Sequence, residues 1–237
     1  MIKSLHLTCR PEEKGIIPHS TGHLLYAGML KAIQRNDPNL SESLHKKQMS
    51  EISLSNLKGE FDSEDRNRKR VFDNAEYRFS LNLINTEEAF KPLFKEFVLQ
   101  DERITVGDVD FLLTGLESNE LDFDDLISEK TPEQLHFHFA SPTSIDYRGA
   151  GVTEMFPHRE AIFASLEQSW NTHAPDEYKM DLDLNELKKH VVEQPSPDLY
   201  QTHNVVVTRK ERDDGEGTYP IKAFGFTGTV TYGFKDA

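Results

Sequence analysis

Residues 76–113 change hydrophobic period twice, and that change narrows the folds open to the chain. Tyr77, Phe79, Leu81 and Leu83 alternate with Glu76, Arg78, Ser80 and Asn82, the pattern of a strand with one wet face. Phe90, Leu93, Phe94 and Phe97 follow at helical spacing behind Thr86-Glu87-Glu88, a helix-start signal. Ile104 to Leu113 returns to strand character. Upstream, Leu5, Leu7 and Cys9 alternate with Ser4, His6 and Thr8. Leu24, Leu25, Gly28, Met29, Ala32 and Ile33 then form a helical stripe behind Pro18 and Ser20-Thr21, and Asp37-Pro38 stops it. Ile52 to Leu57 is a short strand. The order strand, helix, strand, strand, helix, strand is the split βαβ, or ferredoxin-like, arrangement. Asp62 to Lys69 is so polar that it reads as a mobile loop.

Glu117 to Glu129 is acidic, with Asp122 to Asp125 read as linker, and ends at Thr131-Pro132. This divides the chain into residues 1–128 and 129–237. In the second part Leu135, Phe137 and Phe139 occupy one strand face, His136 and His138 the other. Two histidines without a third ligand nearby predict a wet strand face and no metal site. Phe156-Pro157 precedes a helix carrying Ile162, Phe163, Leu166 and Trp170, and Asp181 to Val191 reads as a second. Val205 to Thr208 and Phe224 to Phe234 read as closing strands around a turn at Asp213-Asp214-Gly215.

Charge gives a mixed signal. The net charge is −14, awkward for a partner of phosphates, which attract Lys and Arg. The acid is concentrated in the middle: residues 1–100 hold 15 Lys and Arg against 14 Asp and Glu, residues 101–200 hold 7 against 22, and residues 201–237 hold 5 against 5. Lys46-Lys47, Arg66 to Arg70, and Arg209-Lys210 with Arg212 are basic clusters, read by default as solvated surface. Cys9 is the only cysteine, so no disulfide framework or cysteine zinc site exists. No apolar run approaches a membrane span and the start shows no signal peptide, which predicts a cytoplasmic protein away from membranes.

Four segments in order carry a family resemblance. They are Ile17-Pro18 through Ile33 followed by Leu44-His45; Ser55-Asn56-Leu57-Lys58-Gly59; Phe139-Ala140-Ser141-Pro142-Thr143 with Phe156-Pro157, Ser165-Leu166 and Trp170-Asn171; and Gly225-Phe226-Thr227-Gly228-Thr229-Val230-Thr231-Tyr232. Together, across nearly the whole chain, they resemble the CRISPR-associated, repeat-cleaving endoribonucleases of the Cas six family. The resemblance implies an α+β chain of two tandem ferredoxin-like (RRM-like) domains. It also implies an enzyme that binds precursor CRISPR RNA and cuts it within the repeat, without metal or other cofactor. The implied partners are repeat RNA, with an RNA-guided interference complex and a second copy of the chain as further candidates. A non-catalytic RNA-binding module on the same fold is the alternative, and a protein-docking scaffold a third reading.

Metal-free cleavage needs a base for the 2′-hydroxyl, an acid for the departing 5′-oxygen and donors for the phosphorus oxygens. The resemblance makes His45 the first choice, with Lys46 and Lys47 beside it as cations. His19, His23 and Tyr26 share a helical face if the helix starts early enough, and His23 or Tyr26 is then the second group. The chain departs from the family pattern at Glu51, where a lysine is common, and at Leu30, where a tyrosine is common. For RNA binding, Gly225 and Gly228 suit close backbone approach to phosphate, Phe224 and Phe226 suit base stacking, and Lys222, Arg209 and Lys210 suit the RNA backbone. The competing reading puts the glycines at a strand bend and the phenylalanines in the core.

Overall fold

Eight residue pairs join β1 (Ile2–Pro11) to β6 (Tyr77–Ile84), antiparallel from Ile2 opposite Ile84 to Cys9 opposite Tyr77. This pairing organises the first of two units, Met1–Ile127 and Ser128–Ala237, in the computed structural model. The structure describes residues 1–46, 51–65, 68–85, 87–95, 103–127, 132–146, 153–211 and 217–235.

In the first unit β8 (Val109–Leu121) lies on the other side of β1, with β3 (Ile52–Leu54) outside β6 and β7 (Arg103–Val106) outside β8. The order β3-β6-β1-β8-β7 is the ferredoxin-like order extended by one edge strand. Helices α1 (Gly22–Asn36) and α3 (Glu87–Phe94) supply the two crossovers. The alternation seen in the sequence is the core: Leu5, Leu7, Cys9, Tyr77, Phe79, Leu81 and Leu83 are buried with Leu25, Met29 and Ile33 of α1 and Leu93 of α3. Burial also pushes the Cys9 thiol up to about 12, which leaves it a core side chain without thiolate chemistry. The opposite sheet face is polar, with Ser4 Oγ donating to Asn82 Oδ1 (2.7 Å) and His6 Nδ1 3.0 Å from Ser80 Oγ.

Two expectations fail here. The polar run 62–69 enters a small sheet of β2 (Gly15–Pro18), β4 (Asp62–Ser63) and β5 (Arg68–Val71), ordered β2-β5-β4. Its charges pair locally, Arg70 with Glu64 (2.5 Å) and Arg68 with Asp65 (2.7 Å), while Lys69 and Val71 turn inward. The acidic stretch is likewise not simple linker. Glu117 to Leu121 belongs to β8 and pairs with β1, where Lys3 meets Glu120. Asp122 and Asp125 then form a capping box on the turn α4 (Phe123–Leu126), and Phe123 is buried.

The second unit is built on β14 (Thr218–Phe234). One edge of β14 pairs with β9 (Gln134–Thr143), the other with β12 (Val191–Pro195) and β13 (Gln201–Glu211), all antiparallel. Both closing strands are longer than the sequence predicts, and the expected turn at 213–215 lies outside the described residues. A short pair, β10 (Ile145–Asp146) and β11 (Thr153–Glu154), precedes α5 (Arg159–His173), and α6 (Leu184–His190) leads into β12. Phe137, Phe163 and Tyr232 pack edge-on at 5.1–6.4 Å. Of the predicted α5 stripe, Ile162 is buried but Leu166 is 47% exposed. The chain is α+β with tandem ferredoxin-like folds; the second departs from the standard strand order because β14 pairs along both edges. Among the described residues no helix is long and apolar enough to cross a membrane.

Candidate functional site

Helix α2 (Pro38–Lys46) starts one residue after α1 ends, with Asp37 Oδ1 accepting from Leu40 N–H at 2.9 Å. It packs back on α1: Ser41 Oγ donates to the Leu30 carbonyl at 3.0 Å, and Leu44 is buried in the same core. His45 and Lys46 form its last turn and are both exposed, Lys46 paired with Glu42 at 2.5 Å. Lys47 lies outside the described residues.

On α1, His23 is the second residue and Tyr26 follows at i+3, partly buried against the core. Burial holds the His23 imidazole below its ordinary value. The helix starts too late to include His19. That residue precedes it, with Nε2 3.3 Å from the Asp65 carbonyl, so the expected three-residue face reduces to His23 and Tyr26.

The Ser55–Gly59 segment ties α1 to the sheet. Ser55 Oγ accepts from Ser80 N–H at 2.9 Å, Leu57 is buried, and Lys58 bridges to Arg78. A Cβ on Gly59, which has φ +155, would lie 2.5 Å from the Tyr77 ring. Asn56 Oδ1 accepts from Thr21 N–H (2.9 Å), Gly22 N–H (2.8 Å) and Thr21 Oγ1 (3.4 Å), and Thr21 Oγ1 accepts from Leu57 N–H (2.8 Å). Sequence reading matched the segment as a motif and missed this contact, because a link over 35 positions leaves no local period.

Lys69 was also missed. It is read in sequence as solvated but is 6% exposed, with Nζ 3.7 Å from the centre of the Phe61 ring. Burial pulls its pKa down to about 8, against the ordinary lysine value of 10.5. Between those values the unfolded chain holds a proton that the folded chain has released, so stability should rise with pH from about 8 to 10.5. Lys69→Met should raise stability at pH 7 by roughly 1–3 kcal/mol, part of the penalty being offset by the ring. Thermal unfolding from pH 7 to 10.5 should show that gap closing.

In the second unit the glycines and phenylalanines separate. Phe226 is fully buried, its ring 5.0 Å from Phe139, so it is not offered to a base; this corrects the stacking expectation. Phe224 is 47% exposed. Gly225 and Gly228 approach protein backbone: a Cβ would meet Thr143 O at 2.5 Å and Leu199 O at 2.9 Å, respectively. Arg209, Lys210 and Lys222 lie on the paired β13 and β14 strands, with side chains outside the described set. His136 and His138 each set Nδ1 beside a threonine hydroxyl, Thr231 at 2.8 Å and Thr229 at 3.2 Å. Among the described residues no cluster of three or more His, Cys, Asp or Glu is arranged to hold a metal.

This α+β architecture recurs in solved structures along the full chain. A Cas6 product complex matches with a TM-score of 0.66 at 17% identity, covering 99% of this chain and 85% of that one. Thermus thermophilus Cas6 matches at 0.60 and 16%, covering 100% and 84%. The product of a Cas6-related gene from Pyrococcus furiosus matches at 0.57 and 14%, covering 99% and 88%. These likenesses define the class by fold. Residues 137–237 match the family model of the CRISPR-associated endoribonuclease Cas6. The match lies within the second unit, while the likeness in fold runs along the whole chain. None of the curated proteins matches it by sequence.

Proposed function

We propose that the protein binds precursor CRISPR RNA and cuts it once in each repeat, without a metal ion. The 2′-hydroxyl attacks the adjacent phosphorus, the bond to the 5′-oxygen breaks, and the products are a 2′,3′-cyclic phosphate and a 5′-hydroxyl. The observation that carries this reading is the family match over residues 137–237. The α1–α2 hairpin supports the residue roles. The Ser41–Leu30 hydrogen bond falls one turn before His45 on α2 and one turn after Tyr26 on α1. Chain reversal between the helices runs α2 back along α1 from that hydrogen bond, which is compatible with roles for residues of both helices.

His23 suits the base, because partial burial lowers its pKa and so favours the neutral imidazole that can accept the 2′-hydroxyl proton. His45, exposed in the last turn of α2, suits the acid for the departing oxygen. Tyr26, Lys46 and Lys47 are the groups nearest in sequence to donate to the phosphate oxygens. Arg209, Lys210, Lys222 and exposed Phe224 suit RNA binding in the second unit.

The test is incubation of purified protein with its own repeat RNA in excess EDTA. One cut with a 2′,3′-cyclic phosphate terminus is expected. Tight binding with no cut would leave the alternative, an RNA-binding module on the same fold. A cut that appears only on adding a divalent cation would overturn the metal-free mechanism.

A further inference from the structure

The first turn of α1 is not capped by its own sequence. Thr21 precedes it with φ −109 and ψ −9, and its side chain makes no capping bond to the helix. The three hydrogen bonds that replace a cap all end on Asn56 Oδ1, and all three partners are donors. The orientation of the amide is therefore set by chemistry: its oxygen must face the helix. A carboxylate would accept the same three bonds and would favour a helix N-terminus more strongly. The chain nevertheless carries a neutral amide here, and the helix residue directly after Gly22 is His23.

We infer that Asn56 is a positioning residue for the cleavage reaction: it fixes the turn that carries His23 while adding no charge beside that imidazole. The inference rests on the reading of His23 as a participant in cleavage. It goes further by giving the Ser55–Gly59 segment a task. The segment holds the helix end from outside, with Leu57 N–H locking the Thr21 hydroxyl and Ser55 joined to β6. Burial lowers His23. A carboxylate bonded to Gly22 N–H, one residue before His23, would add a negative charge to that turn.

Two variants separate position from charge. Asn56→Asp keeps the acceptor and adds the charge; Asn56→Ala removes the acceptor. Three readouts are thermal unfolding, NMR titration of the His23 ring assigned with His23→Gln, and single-turnover cleavage across pH. Asn56→Asp should unfold within about 2 °C of wild type, while His23 titrates higher by roughly half to one unit. The acidic limb of the rate profile should move up in pH by the same amount. Asn56→Ala should unfold about 2–8 °C lower. Its cleavage rate should fall about 10- to 100-fold, with RNA affinity within about threefold of wild type.

The inference is overturned if Asn56→Asp unfolds as early as Asn56→Ala, or if neither variant moves the His23 titration. The unfolding and titration readouts need no cleavage. If the titration moves and wild type does not cut, the positioning stands and the catalytic reading of His23 falls. If wild type cuts and the titration does not move, the converse holds.

Discussion

His45→Ala should abolish repeat cleavage, its single-turnover rate falling about 10²–10⁴-fold, the range expected for losing one general acid or base. RNA affinity should stay within about threefold of wild type and the unfolding temperature within about 1–2 °C, because the side chain is exposed at the end of α2. The neighbouring core contact is made by Leu44, which the substitution leaves in place. The measurement is single-turnover cleavage of repeat RNA in EDTA, beside a binding isotherm on RNA with the attacking 2′-hydroxyl removed. A cut surviving at near wild-type rate would remove His45 from the chemistry and leave His23 and Tyr26 as the acid–base pair. Lys46 offers an internal contrast. Its ammonium is already paired with Glu42 on the exposed face of α2, so Lys46→Ala should cost far less.

The second large effect is on folding. Gly225→Ala and Gly228→Ala should each destabilise the second unit by about 2–4 kcal/mol, since backbone must shift in both cases. At Gly225 a Cβ would press into the Thr143 carbonyl, 2.5 Å away, where β14 begins to pair with β9. At Gly228 the Cβ would meet Leu199 O and Tyr200 Cα, both at 2.9 Å, and the residue has φ +139, a conformation side chains rarely adopt. Denaturant unfolding should show both losses, and RNA affinity should fall only as folded protein is lost. Unchanged stability with lost RNA binding would instead restore the reading of these glycines as a phosphate contact.

Those two glycines show where sequence reading stopped. The motif was visible, yet two physical reasons for a glycine, approach to a phosphate and approach to another strand, leave the same mark in a sequence. Only the neighbours at 2.5–2.9 Å distinguish them. The same ambiguity covered the phenylalanines of that strand. Alternation says that Phe224 and Phe226 share a face, but the partner strand β9 ends beside Phe226, which covers one ring and leaves the other 47% exposed.

The sequence by itself determined the first sheet and its two crossover helices, because alternation and helical stripes record burial within each element. Leu5 to Cys9, Tyr77 to Leu83 and Leu25 to Ile33 were all legible in this way. It also marked out His45, His23 and Tyr26 as candidates. Tertiary structure decided what depends on residues far apart in the chain: Asn56 closing the end of α1 from 35 positions away, Lys69 buried on Phe61, and acidic Glu117 and Glu120 drawn into a strand against β1. The physical reason is common to the three. Each of these polar groups is held by a partner on another element, and that partner's position is set by packing, which local periodicity does not encode.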